Sequence, residues 1–119
     1  MKTKSILLLL VTTFLIFTSC KKDVSKPQVT YTNNASQGTA SSGQFTLTGH
    51  ISSQISLAQV TLTKQGDSNP FLVDQTTAKN KKEYDFSYPI TGITANTTII
   101  MNVSDQNGGT SSSQFQILK

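Results

Sequence analysis

Hydrophobic and polar positions divide the chain into three parts. Ile6 to Phe17 is a run of twelve residues, apolar except for Thr12 and Thr13, with Lys2 and Lys4 ahead of it. A run of that length is too short for a helix that spans a bilayer and matches the hydrophobic region of a secretory signal. Cys20 to Lys26 is polar and lacks any apolar period, so it cannot bury enough surface to order itself. From Pro27 onward, short alternating stretches are separated by breaks rich in Gly, Asn and Ser. Alternation with a period of two marks strands that turn one face to a core.

Gln28 to Thr32 reads as a brief strand with Val29 and Tyr31 on one side, and Asn33 to Ser42 as a loop of small residues. Phe45, Leu47, Gly49 and Ile51 then alternate with Gln44, Thr46, Thr48 and His50, and Ala58, Val60 and Leu62 with Gln59, Thr61 and Thr63. Gly66 to Pro70 is a turn cluster, followed by the short strand Phe71-Leu72-Val73 and the polar loop Gln75 to Lys82. Tyr84, Phe86, Tyr88 and Ile90 form the strongest alternation in the chain. Pro89 cannot donate a ladder hydrogen bond, so the end of that strand lies at a sheet edge or leaves the sheet. Ile99, Met101 and Val103 alternate next, Asp105 to Gly109 is a turn, and Phe115 and Ile117 close the chain. About seven short strands with turns between them, and no sustained helical period after the first segment, predict an antiparallel β-sandwich.

Two resemblances add to this reading. Phe17-Thr18-Ser19-Cys20 resembles the lipobox of bacterial lipoproteins, with Phe where Leu is usual. The resemblance implies cleavage before Cys20, a diacylglycerol on its thiol and an acyl group such as palmitate on the new N-terminus. The expected organisation is a signal peptide over 1–19, a lipid-anchored tether over 20–26 and one domain over 27–119. In the common Gram-negative pattern, Asp after the lipidated Cys retains a lipoprotein at the inner membrane. Lys21 stands there instead, so the resemblance implies the outer membrane, on its periplasmic or its surface-exposed face. The second resemblance covers roughly residues 27 to 119. Gly49-His50-Ile51-Ser52-Ser53, Ala58-Gln59-Val60-Thr61-Leu62, Tyr84-Asp85-Phe86, Thr91-Gly92-Ile93 and a last hairpin turning at Asp105 and Gly108 resemble bacterial immunoglobulin-like domains. It implies an Ig-like sandwich that serves interaction or scaffolding.

Composition sharpens the picture in two places. Cys20 is the only cysteine, so the domain holds no internal disulfide and depends on packing and backbone pairing. Formal net charge is +4, yet from residue 27 onward five lysines face five acids. There is no arginine, and hence no planar fork for phosphates or guanine edges. The basic balance therefore belongs to the leader and tether, and no nucleic-acid partner is expected.

Candidate chemistry is sparse. A nucleophile–base system needs a base beside Ser or Cys, and the one histidine, His50, reads as a solvent-side strand residue. A single His without a free Cys does not make a zinc site. Glu83 and Asp85 share a strand face and, with Asp74, suggest a carboxylate pair, but the lysine-rich loop nearby makes them read as solvated charge. Asp105-Gln106-Asn107 begins like a calcium loop but lacks the later ligands, so it reads as an Asx turn. Lys79, Lys81 and Lys82 read as a solvated loop. Tyr31, Tyr84, Tyr88, Phe71 and Phe86 raise the question of sugar stacking, while their alternation favours core. Asn96-Thr97-Thr98 and Asn102-Val103-Ser104 match the glycosylation triplet, a pattern common by chance.

The reading is a non-enzymatic, monomeric envelope protein held to the membrane through Cys20, without cofactor or metal. Its partner would be another envelope protein, a glycan or a host molecule. The alternative is a small glycan-binding module of a polysaccharide-uptake system, distinguished by an exposed loop tyrosine.

Overall fold

The computed structural model describes residues 25–119. The apolar run, the Phe17-Thr18-Ser19-Cys20 stretch and most of the tether lie outside those residues. Eight strands form: β1 Gln28–Tyr31, β2 Gln37–Thr39, β3 Phe45–Ser52, β4 Leu57–Lys64, β5 Leu72–Asp74, β6 Glu83–Ile90, β7 Thr97–Asp105 and β8 Thr110–Leu118. They pair into a three-stranded sheet in the order β1-β3-β6 and a five-stranded sheet in the order β2-β8-β7-β4-β5. All pairings are antiparallel except that of β2 with β8.

The expected alternation sets the core. Leu47 and Ile51 of β3 and Phe86, Tyr88 and Ile90 of β6 meet Val60, Leu62, Ile99, Met101, Val103, Phe115 and Ile117 of the other sheet, all buried. Aromatic rings fill the middle: Phe86 stacks on Tyr88 at 5.6 Å between centroids and meets Tyr31 edge-on at 6.0 Å. Tyr31 also reaches across the sandwich, its ring 5.0 Å from that of Phe115 and its hydroxyl 2.6 Å from Ser113 Oγ. Gly49 lies under this cluster. A Cβ there would come within 2.6 Å of the Phe86 ring and would also strike the Thr30 carbonyl, so the close approach of ring to backbone requires glycine.

Two expectations needed correction. The segment expected as one small-residue loop holds a 3₁₀ turn at Thr32–Asn34 and the extra strand β2. β2 has no apolar residue to announce it; its inward position is Gly38, where a Cβ would meet the Phe45 ring at 2.5 Å. In β4, a register shift between Leu57 and Gln59 breaks the alternation, so Leu57 is buried in line with Val60 while Ala58 is not. A bulge of this kind adds one residue and resets which side chains face inward.

The topology also gives the sandwich two distinct ends. Gln28 at the start of β1 pairs with Ser52 at the end of β3, and Ser52 pairs with Glu83 at the start of β6. Leu57 pairs with Asp105, and its backbone is bonded to Lys81 C=O and Asn80 N–H. The chain thus enters at the end formed by residues 53–56, 75–82 and 105–109. The opposite end carries the 39–45 turn, the 65–71 turn, the 91–96 loop and Lys119, whose N–H is bonded to Asn96.

Candidate interaction surfaces

On the outer face of the three-stranded sheet, register places His50 directly opposite Asp85 and diagonal to Glu83. His50 Nδ1 lies 2.6 Å from Asp85 and Nε2 lies 2.6 Å from Glu83, which also accepts a hydrogen bond from Ser52 Oγ. A ring bonded to a carboxylate at both nitrogens is one that donates from both, as the imidazolium does. The Asp85 and then the Glu83 bonds accordingly raise the His50 pKa, and His50, with help from Ser52, lowers that of Glu83. Glu83 and Asp85, expected as solvated charge, are exposed, and each is hydrogen-bonded to this histidine. Because the ring stands between the two carboxylates, the three groups do not converge on one point. Among the described residues, no group of three or more His, Cys, Asp or Glu could hold a metal ion.

Asp74 is not part of that pair. It sits buried at the end of β5 on the other sheet. Its carboxylate accepts hydrogen bonds from the Thr76 and Thr77 N–H groups, from Thr77 Oγ1 and, at 2.8 Å, from the Tyr88 hydroxyl. Burial by itself pushes the Asp74 carboxyl up, but the bonds from Thr77, Tyr88 and the backbone prevail and hold it at about 2. Burial, followed by the Asp74 bond, raises the Tyr88 pKa. The arrangement fastens the 75–82 loop to the core strand β6. Sequence signalled it only as an Asp with Thr two and three positions later, a pattern common to turns.

Asp105 is the expected Asx turn. Its Oδ1 accepts the N–H groups of Asn107 and Gly109, at 2.9 and 2.8 Å, which uses the oxygen a calcium loop would offer. Lys79, Lys81 and Lys82 are exposed, and Lys81 Nζ lies 5.2 Å from the centroid of the Tyr84 ring. Tyr31 and Tyr88 are buried and Tyr84 is half-buried, so the tyrosines serve the core and its rim.

The outer face of the five-stranded sheet is different in kind. By register, Gln59, Thr61 and Thr63 of β4, Thr98, Ile100, Asn102 and Ser104 of β7, and Thr110, Ser112, Gln114 and Gln116 of β8 point outward. None carries a charge. A shallow groove of about 280 Å³ runs between Gln59, Thr61, Asn102, Ser104 and Thr110. At the β5 edge of this face, Phe71 is 42% and Val73 51% exposed, and Lys64 Nζ stands 5.7 Å from the Phe71 ring centroid. They are the exposed large apolar side chains of the described residues. Of the expected short strand Phe71-Leu72-Val73, Leu72 turns inward in β5, whereas Phe71, grouped with the rings whose alternation favours core, stands outside it.

No family model matches the chain, and no curated protein matches it. Among solved structures, it is similar to the fibronectin(III)-like modules of Clostridium thermocellum CbhA, with a TM-score of 0.53 and 18% identity over 82% of this chain. The match spans about half, 48%, of that chain's length. At this identity the likeness is one of fold: a two-sheet, fibronectin III-like sandwich of the immunoglobulin type, as the sequence led one to expect.

Proposed function

We propose that the chain is a lipid-anchored cell-envelope protein that presents one non-catalytic Ig-like module for interaction or scaffolding. One observation carries the reading. The sole cysteine closes a Lys-flanked apolar run, and the first strand of the sandwich begins eight residues after it. The fibronectin III-like fold supports the non-catalytic part, as does the engagement of His50, Asp74 and Asp105 in bonds within the sandwich. The outer membrane is the proposed site, following from Lys21 behind the cysteine. The contact surface we favour is the uncharged outer face of the five-stranded sheet with Phe71 and Val73 at its edge, because little desolvation of charge opposes a partner there.

Glycan binding is the second reading. Its support is Phe71, an exposed ring beside a face of amides and hydroxyls; the tyrosines that would have served it are taken up by the core and its rim. The anchor is tested by mass spectrometry of the mature N-terminus. A diacylglycerol-modified, acylated Cys20 is expected, and Cys20→Ala should leave an unprocessed or mislocalised precursor. An unmodified mature terminus at any other residue would sink the proposal.

A further inference from the structure

We propose that the end of the sandwich where the chain enters is a membrane-facing surface, on which Lys26, Lys79, Lys81 and Lys82 meet anionic lipid headgroups. This rests on the reading of Cys20 as the lipid anchor. Sequence alone separates Lys26 from the other three by more than fifty positions. The fold brings them to one end: Gln28 pairs with Ser52, Ser53 N–H bonds to Lys82 C=O, and Leu57 bonds to Lys81 and Asn80. All four lysines are exposed. The only ion pairs among the described residues are those of His50, so none of these lysines is paired with a described acid.

Two of the acids near this end are turned away from the solvent that the lysines face. Asp74 and Asp105 are buried, both carboxylate oxygens of Asp74 and Oδ1 of Asp105 accepting N–H or O–H bonds. Glu83 and Asp85 lie on the sheet flank, bound to His50. Glu83 is the exposed acid nearest the tip, and it is already paired with His50, so the lysines are in excess there. The tether adds Lys21 and Lys22 against a single acid, Asp23. From Cys20 to Pro27 the chain spans at most about 25 Å when fully extended, so an anchored Cys20 keeps this end close to the bilayer. Lysines within a Debye length of an anionic surface are attracted to it, and salt weakens the attraction. The opposite end, with Lys64, Asp67 and Lys119, would then point away, and the uncharged sheet face would stand upright and accessible from the side.

The described sandwich has all its strands and core within residues 25–119, so residues 20–119 serve for the test. The Cys20 thiol is coupled to a maleimide-bearing lipid in vesicles of neutral phosphatidylcholine, or of phosphatidylcholine mixed with phosphatidylglycerol. An amine-reactive ester then labels the lysines, and mass spectrometry reads each rate. Lys79, Lys81 and Lys82 should label at least about fivefold more slowly on the anionic vesicles, with the difference lost in high salt. Lys64 and Lys119 should label equally on both. Equal rates for the three loop lysines on both surfaces, or equal slowing of Lys64 and Lys119, would overturn the proposal. Because the tether is attached chemically, this outcome is read apart from cellular lipidation, which the mature N-terminus answers by itself.

Discussion

Asp74 shows how much one side chain decides in a small domain. Its carboxylate organises the 75–82 loop and closes against Tyr88, so the loop is fastened to the core through one acid. Its pKa is depressed in the fold to about 2, below the unfolded value. The resulting stability is fully present above the unfolded pKa near 3.9 and is lost as pH falls through the folded value. Its size is on the order of 2 kcal/mol, taken from the shift and treated as a ceiling. Asp74→Asn should therefore lower stability at neutral pH by about 1–3 kcal/mol, the cost of a damaged buried network. The deficit should shrink as pH drops from about 4 toward 2, because the native carboxylate is then being protonated as well. Denaturant melts of both proteins across that range check it, and a deficit independent of pH would mean that packing, not the charge, is what the substitution removes. The exposed acids on the other sheet behave differently. Glu83 and Asp85 trade hydrogen bonds with His50 in open solvent, where such pairs contribute little.

Among the elements, β6 was the most legible in the sequence, because four of its eight residues alternate as Tyr84, Phe86, Tyr88 and Ile90. Phe86 is 2% exposed and lies between Tyr31, Tyr88 and the bare backbone of Gly49. Phe86→Ala should cost about 3–5 kcal/mol, typical of emptying a buried aromatic site. Ser87→Ala, on the outward face of the same strand, should stay within about 0.5 kcal/mol. Asp85 would be a poor control, since it is bonded to His50. A pair of thermal melts decides, and a Phe86→Ala protein as stable as its parent would refute the inward register. The elements that escaped the sequence did so for physical reasons. β2, with Gln37, Gly38 and Thr39, pairs with β8 through backbone and offers a bare glycine to the Phe45 ring, so no apolar side chain signals it. The bulge in β4 moved the inward row from Ala58 to Leu57, which pattern alone cannot place. The meeting of His50 with Glu83 and Asp85 depends on the β3–β6 register, and alternation fixes faces without fixing register.

At the scale of the whole molecule, the open sandwich leaves β6 as its longest unpaired edge, eight residues whose other side faces no strand. Such an edge is a template for a second chain unless something blunts it. The Ser53 N–H bond to Lys82 C=O sets the alternation of backbone bonds along the β3–β6 pair. By that alternation Tyr84, Phe86, Tyr88 and Ile90 direct their N–H groups to β3, while Glu83, Asp85, Ser87 and Pro89 direct theirs outward. Pro89 thus stands at an outward position, where it has no N–H to offer, and the two acids place negative charge along the same edge. The edge expected from Pro89 is the edge observed, and the residue that revealed it also protects it. Pro89→Thr restores a donor and a strand-favouring side chain at an exposed position without disturbing the inward row. Folding stability should change little, and self-association should rise with concentration, because a like edge can now pair antiparallel over most of the strand. Sedimentation velocity across a concentration series reads the outcome: a monomeric parent and an associating variant are expected. If Pro89→Thr sediments as the parent does at every concentration, the acids alone guard the edge and proline has no part in keeping these modules apart.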